Sequence, residues 1–105
     1  MNVSRLDLLL QSLKQNPGDE FTRYLVALEL VKLNELAEAF THFEMLVQKH
    51  PEYLPTYYQY AVALQKEGRI DRAQEIFKMG IKVAEKTGDG HTKSELLQAL
   101  DEIEG

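Results

Sequence analysis

The sequence predicts an all-α protein built from repeated helix–turn–helix pairs, and three observations support this prediction. The chain matches itself when it is shifted by the interval that separates Tyr24 from Tyr58. Residues that break helices fall at equivalent places in the successive copies. Apolar and polar residues nowhere alternate for long, which argues against strands. Together these observations predict about six helices, antiparallel within each pair, in a single domain of residues 1–105.

The self-match depends on residues of the same type in both copies. The same shift places Tyr24 on Tyr58, Ala27 on Ala61, Leu30 on Leu64, Ala39 on Ala73, Phe43 on Phe77 and Pro17 on Pro51. A fixed period of roughly 34 residues is typical of helical arrays, in which each copy is one supersecondary unit. We assign a half-repeat to residues 4–17, full repeats to 20–53 and 54–87, and a capping helix to 91–103.

Breakers and caps place the helices in order along the chain. Pro17 and Pro51 each end one helix, and Asp19 is positioned to cap the next. Pro55 suits the first turn of a helix, where its missing N–H is not needed. Asn34 and Gly68 occupy equivalent turns and tolerate the left-handed backbone conformation. The predicted helices are 4–15, 20–33, 36–49, 55–67, 70–86 and 92–103.

Two details concern the last two helices. Thr92-Lys93-Ser94-Glu95 is a capping-box pattern, so we expect the final helix to start there. Gly80 stands in the middle of the fifth helix, where glycine costs about 1 kcal/mol relative to alanine. Close packing between helices is the expected reason for it.

The second helix carries more apolar residues than a core requires. Val26, Ala27, Leu30 and Leu33 supply its core face. A second stripe is formed by Phe21, Tyr24, Leu28 and Val31, and the next repeat echoes it with Tyr58 and Val62. Such a stripe indicates an interaction surface. The alternative is burial by the final helix, whose apolar face holds Leu96, Leu97, Leu100 and Ile103; that helix either caps the second repeat or fills this surface.

Composition argues against several classes of function. The chain has no cysteine, and its net charge is −5 without a basic patch, which disfavours nucleic acid. We expect neither a signal peptide nor a membrane span, and therefore a cytoplasmic location. His42, His50 and His91 lack metal-ligand spacing, and no Gly-rich phosphate loop occurs. We expect no metal, no cofactor and no enzymatic activity.

These repeats resemble the tetratricopeptide repeat family. The first helix of each copy has a small residue followed three later by a large apolar one, as in Ala27 and Leu30. The second has a small residue followed four later by an aromatic, as in Ala39 and Phe43. Arg23 and Tyr57 replace the family's frequent early tryptophan. The resemblance implies a short bacterial-type protein with about two and a half repeats, stacked into a right-handed superhelix and closed by a capping helix.

The resemblance also implies a function in protein binding. It places Phe21, Tyr24, Leu28, Val31, Tyr58 and Val62 in a concave apolar-aromatic groove that binds a peptide or helix of a partner protein. Some members clamp a C-terminal carboxylate, but Tyr24, Leu28, Pro55 and Gln59 stand at the matching positions and lack the required charges. The alternative function is a structural unit that self-assembles through its repeat ends or its groove.

Overall fold

A computed structural model describes residues 3–105, and these residues form six α-helices without a strand. The helices are α1 (Arg5–Gln15), α2 (Glu20–Lys32), α3 (Leu36–Lys49), α4 (Pro55–Lys66), α5 (Ile70–Thr87) and α6 (Gly90–Glu104). Their bounds lie within two residues of those predicted from the sequence. The all-α helical-repeat fold class is therefore confirmed.

The helices fall into two compact units. The first unit ends at Tyr53, and in it α2 packs against both α1 and α3. The second unit begins at Leu54, and in it α5 packs against both α4 and α6. In each unit the central helix contacts the other two, and all the helices contribute buried residues to the cores.

The turns inside the two repeats have the same backbone geometry. Asn34 and Gly68 have φ angles of 60° and 79°, which confirms the predicted left-handed conformation. The N–H of Glu35 donates to the Leu30 carbonyl at 2.8 Å, and the N–H of Arg69 donates to the Leu64 carbonyl at 2.9 Å. This pattern satisfies the last carbonyls of each first helix and reverses the chain over a short turn.

The predicted caps are correct at α2 and α4 and wrong at α6. Asp19 accepts a hydrogen bond from the Thr22 N–H at 3.2 Å, and α4 begins at Pro55. The final helix, however, begins at Gly90 rather than at Thr92. Asp89 is its cap, because its carboxylate accepts from the Thr92 N–H at 3.0 Å and from the Thr92 hydroxyl at 2.8 Å. These bonds hold the pKa of Asp89 below its ordinary value.

The repeated small and aromatic residues form the core of each unit. Fully buried residues at equivalent positions are Ala27 and Ala61, Leu30 and Leu64, Ala39 and Ala73, and Phe43 and Phe77. One predicted core residue is wrong: Leu33 is 51% exposed. The cause is that α2 ends at Lys32, so Leu33 is the cap of the helix and lies at the start of the turn. The core face of α2 therefore ends about one helical turn earlier, at Leu30.

Gly80 is the point of closest approach in the second unit. A Cβ atom added at this position would lie 2.6 Å from the Tyr57 Cβ of α4 and 3.1 Å from the Leu96 Cδ1 of α6. Real Cβ atoms do not approach other carbons so closely, because dispersion turns to steep repulsion below normal contact distance. The expected reason for a mid-helix glycine is therefore confirmed: α5 needs it to pack against both neighbours.

One buried polar group in α4 lacks a hydrogen-bond partner. The Thr56 side chain is fully buried, and no group of residues 3–105 pairs with its hydroxyl. A buried unpaired hydroxyl costs about 1–3 kcal/mol. Thr56→Val, which replaces the hydroxyl by a methyl of similar shape, should raise the free energy of unfolding by about 1 kcal/mol. Urea denaturation tests this, with Thr56→Ser as the control that keeps the hydroxyl. A Val variant less stable than the wild type would contradict the expectation.

Candidate functional site

The six residues of the predicted binding surface lie on the first helices of the two repeats. Phe21, Tyr24, Leu28 and Val31 belong to α2, and Tyr58 and Val62 belong to α4. Phe21 is 55% exposed and Tyr58 is 41% exposed, whereas the other four residues are half-buried. Each helix therefore presents one large aromatic side chain to solvent, supported by half-buried apolar neighbours.

In the first unit, Tyr24 is held by an aromatic residue that sequence reasoning did not identify. Its ring meets the Tyr53 ring edge-to-face, with centroids 5.7 Å apart and planes at 71°. Burial raises the pKa of Tyr53, and the carboxylates of Glu20 and Asp19 raise it further. Tyr53 lies in the segment after α3, and the repeat shift places it on Thr87. The repeat pattern therefore carries no signal for this contact.

In the second unit, Tyr58 forms one wall of a pocket. Its ring meets the buried Phe77 ring edge-to-face, with centroids 6.2 Å apart and planes at 72°. The pocket is about 170 Å³ in volume, and its other lining residues are Glu95, Gln98, Ala99 and Glu102 of α6. These α6 residues were also missed from the sequence. The spacing of Glu95 and Glu102 places them two turns apart on one face of the helix.

The final helix caps the second unit without burying Tyr58. Leu96 and Leu100 are buried, and α6 packs against α5. Leu97, which belonged to the same predicted apolar face, is 45% exposed, and Ile103 is half-buried. Of the two arrangements that the sequence left open, the described contacts favour capping. The open side of Tyr58 therefore remains accessible beside α6.

A polar cluster in the first unit surrounds Arg23. One terminal guanidinium nitrogen lies 2.9 Å from His42 Nδ1 and 3.3 Å from the sulfur of Met45. The other donates to the Pro17 carbonyl at 3.3 Å. Arginine only donates hydrogen bonds, so His42 Nδ1 must accept and the ring is neutral. Burial lowers the pKa of His42, the charge of Arg23 lowers it further, and Glu38 opposes the shift.

This arrangement makes stability depend on pH. Because the pKa of His42 in the folded chain is below its ordinary value of 6.5, the folded state binds fewer protons than the unfolded state. The contribution of His42 is fully present above about pH 6.5 and is lost as the pH falls towards the folded pKa. We expect the urea concentration at the unfolding midpoint to decrease as the pH falls through this range. The His42→Gln variant should show a smaller decrease than the wild type. His91→Gln, at a side chain that is 86% exposed, is the control. An unchanged pH dependence in His42→Gln would refute the assignment.

The described residues contain neither a cluster of metal-ligating side chains nor a membrane-spanning helix. Residues 3–105 contain no group of three or more His, Cys, Asp or Glu side chains placed to hold a metal ion. Over the same part of the chain, no helix is both long and apolar enough to cross a membrane.

Comparison with known proteins gives two kinds of match. The sequence model of the tetratricopeptide repeat matches residues 30–92. A solution NMR structure of a tetratricopeptide repeat domain protein from Salinibacter ruber is similar, with 37% identity over 86% of this chain and 91% of that one, and a TM-score of 0.82. A crystal structure of such a protein from the same organism has 37% identity over 83% of this chain and 97% of that one, with a TM-score of 0.77. No curated protein matches the sequence.

Proposed function

Since this chain belongs to the tetratricopeptide repeat family, we propose that it is a protein-interaction module that binds a peptide or helix of a partner protein. Members of the family typically serve as non-enzymatic scaffolds that bind proteins. The residues proposed to bind are Phe21, Tyr24, Leu28 and Val31 of α2 in the first unit, and Tyr58 and Val62 of α4 in the second. The fold itself hosts many partners, so the proposal depends on these side chains.

The observation that carries the proposal is the exposure of Phe21 and Tyr58. They are 55% and 41% exposed, although an aromatic side chain gains about 1.5–3 kcal/mol from full burial. Exposed aromatic residues at binding surfaces are typical hot spots, because they bring large contact area with few rotatable bonds. Tyr58 is also fixed in place by its contact with Phe77, so little conformational entropy is lost when it binds.

A double variant tests the proposal. Phe21→Ala with Tyr58→Ala should stay helical by circular dichroism and should lose proteins that the wild type captures from a lysate of the source organism. Each truncated hot-spot residue is expected to cost about 2 kcal/mol or more of binding free energy. Leu97→Ala is the matched control, because Leu97 is 45% exposed and lies off the proposed surface. If the folded double variant captures the same proteins as the control, the proposal is wrong.

Self-assembly is the second candidate function, and α1 gives it a specific observation. This helix matches the second half of a repeat, and it exposes Leu8 at 54% and Leu10 at 40%. Leu8 and Leu10 are two residues apart and therefore lie on different sides of α1. Stacking against another copy would cover an exposed leucine on one of these sides, as neighbouring repeats do in longer arrays. Light scattering at increasing protein concentration tests this possibility, with Leu8→Lys and Leu10→Lys expected to restore the monomer. A monomeric wild type at high concentration would exclude it.

A further inference from the structure

We propose that the pocket between α4 and α6 receives an arginine side chain from a basic segment of the partner protein. This proposal rests on the proposed function in protein binding and names the chemistry that the second unit would recognise. The pocket is bounded by Tyr58 on one side and by Glu95, Gln98, Ala99 and Glu102 on the other. Its volume of about 170 Å³ is more than ten times the roughly 10–15 Å³ that a cavity needs to hold one water molecule, so it accommodates a side chain.

The charge around the pocket selects a cation. From Gly90 onwards the chain carries four acidic residues and one lysine, which gives −4 + 1 = −3 of the total charge of −5. That lysine, Lys93, is paired with Glu85 of α5 at 2.9 Å. The α4 wall supplies no compensating charge, because no charged residue occurs from Pro55 to Gln65. A carboxylate ligand would be repelled here, and a cationic one attracted.

The two pocket carboxylates are available to a ligand. Within residues 3–105, Glu102 forms no ion pair, and Glu95 meets only His91, at 3.6 Å. The His91 side chain is 86% exposed, so solvent screens this contact. Glu95 and Glu102 stand about 10 Å apart along the helix axis, with Gln98 between them. A cation in the pocket would therefore find acceptors on both sides of Gln98.

The tyrosine wall favours arginine over lysine. A guanidinium group stacks flat on an aromatic ring and still directs its N–H groups outward in the ring plane, towards carboxylates at the side. Lysine presents a compact charge that keeps more of its hydration and makes no planar stack. Tyr58 is suited to this contact because its ring is fixed by Phe77 and 41% of the residue remains exposed.

Nuclear magnetic resonance titration of the whole chain tests the proposal. The probe is a short Gly/Ser peptide with one central arginine, and the same peptide with citrulline is the neutral isostere. The arginine peptide should shift the amide signals of Tyr58, Gln98 and Glu102 in a saturable way, and the citrulline peptide should not. Glu95→Gln with Glu102→Gln should weaken binding by about tenfold, because charge-assisted hydrogen bonds to the guanidinium are lost.

A matched variant separates the pocket from net charge. Asp101→Asn with Glu104→Gln removes the same number of charges from α6 at positions that do not line the pocket. It also removes the exposed ion pair of Glu104 with Lys78 at 3.9 Å, which solvent screens. This variant should change the affinity by less than about threefold. Three results would overturn the proposal. The two double variants could weaken binding equally, the citrulline peptide could bind as well as the arginine peptide, or the arginine peptide could cause no saturable shift. If Glu95→Gln with Glu102→Gln still captures the natural partner while Phe21→Ala with Tyr58→Ala does not, the binding function stands and the arginine assignment fails.

Discussion

Phe43→Ala and Phe77→Ala should each lower the free energy of unfolding by about 3–5 kcal/mol. Both rings are 0% exposed, and they occupy equivalent positions in α3 and α5. Removing a buried ring loses its transfer free energy and leaves a cavity that close-packed neighbours fill only in part. This loss is a large share of the roughly 5–15 kcal/mol that typically stabilises a small domain.

Urea denaturation followed by helical circular dichroism measures these losses. Phe21→Ala provides the control, because the same substitution at a residue that is 55% exposed removes little buried area. Its effect should be within about 0.5 kcal/mol, as is usual for surface positions. A Phe43 or Phe77 variant with a free energy of unfolding within about 0.5 kcal/mol of the wild type would show that these rings are not the core anchors of their repeats.

Gly80→Ala should destabilise the protein by about 1–3 kcal/mol, in spite of the better helix propensity of alanine. The new Cβ would lie 2.6 Å from Tyr57 Cβ and 3.0 Å from Tyr57 Cγ. Tyr57 Cβ is bonded to the backbone, so α4 and α5 must move apart to relieve the contact. The overpacking cost exceeds the roughly 1 kcal/mol that alanine gains over glycine in a helix.

Gly90→Ala is the matched control for this prediction. Gly90 is also helical, at the first position of α6, but nothing lies within 4 Å of the site of its added Cβ. Its stability should be unchanged or slightly raised. If thermal denaturation gave the two alanine variants the same melting temperature, close packing would not explain the glycine at position 80.

Repetition in the sequence was sufficient to predict most of the fold. Ala27 and Phe43 mark the same buried positions as Ala61 and Phe77 in the next copy, because each helix pair solves the same packing problem. The turn at Asn34 and its equivalent in the second repeat were as predictable, since few residues accept a positive φ. Periodic patterns predict helix faces and turns well, because helix faces and turns are determined by residues that are close together in the sequence.

The remaining features depend on local competition or on tertiary packing. Asp89 is the N-cap of α6, and the capping-box pattern that begins at Thr92 does not start the helix. The reason is that the Asp89 carboxylate accepts hydrogen bonds from both the N–H and the hydroxyl of Thr92. The pocket joins Tyr58 to α6 residues that lie outside the repeat register, so no self-comparison of the sequence reveals it. Whether Phe21 and Tyr58 contact a partner stays a prediction.

The glycine at position 80 has a consequence for recognition as well as for stability. It lets α5 lie close to both Tyr57 of α4 and Leu96 of α6, and these are the helices that carry Tyr58 and the pocket carboxylates. The packing of α4 and α6 against α5 at Gly80 therefore helps to set the distance between Tyr58 and the carboxylates of α6. A residue that does not line the pocket is expected to influence which ligands fit the proposed binding site, in addition to its effect on stability.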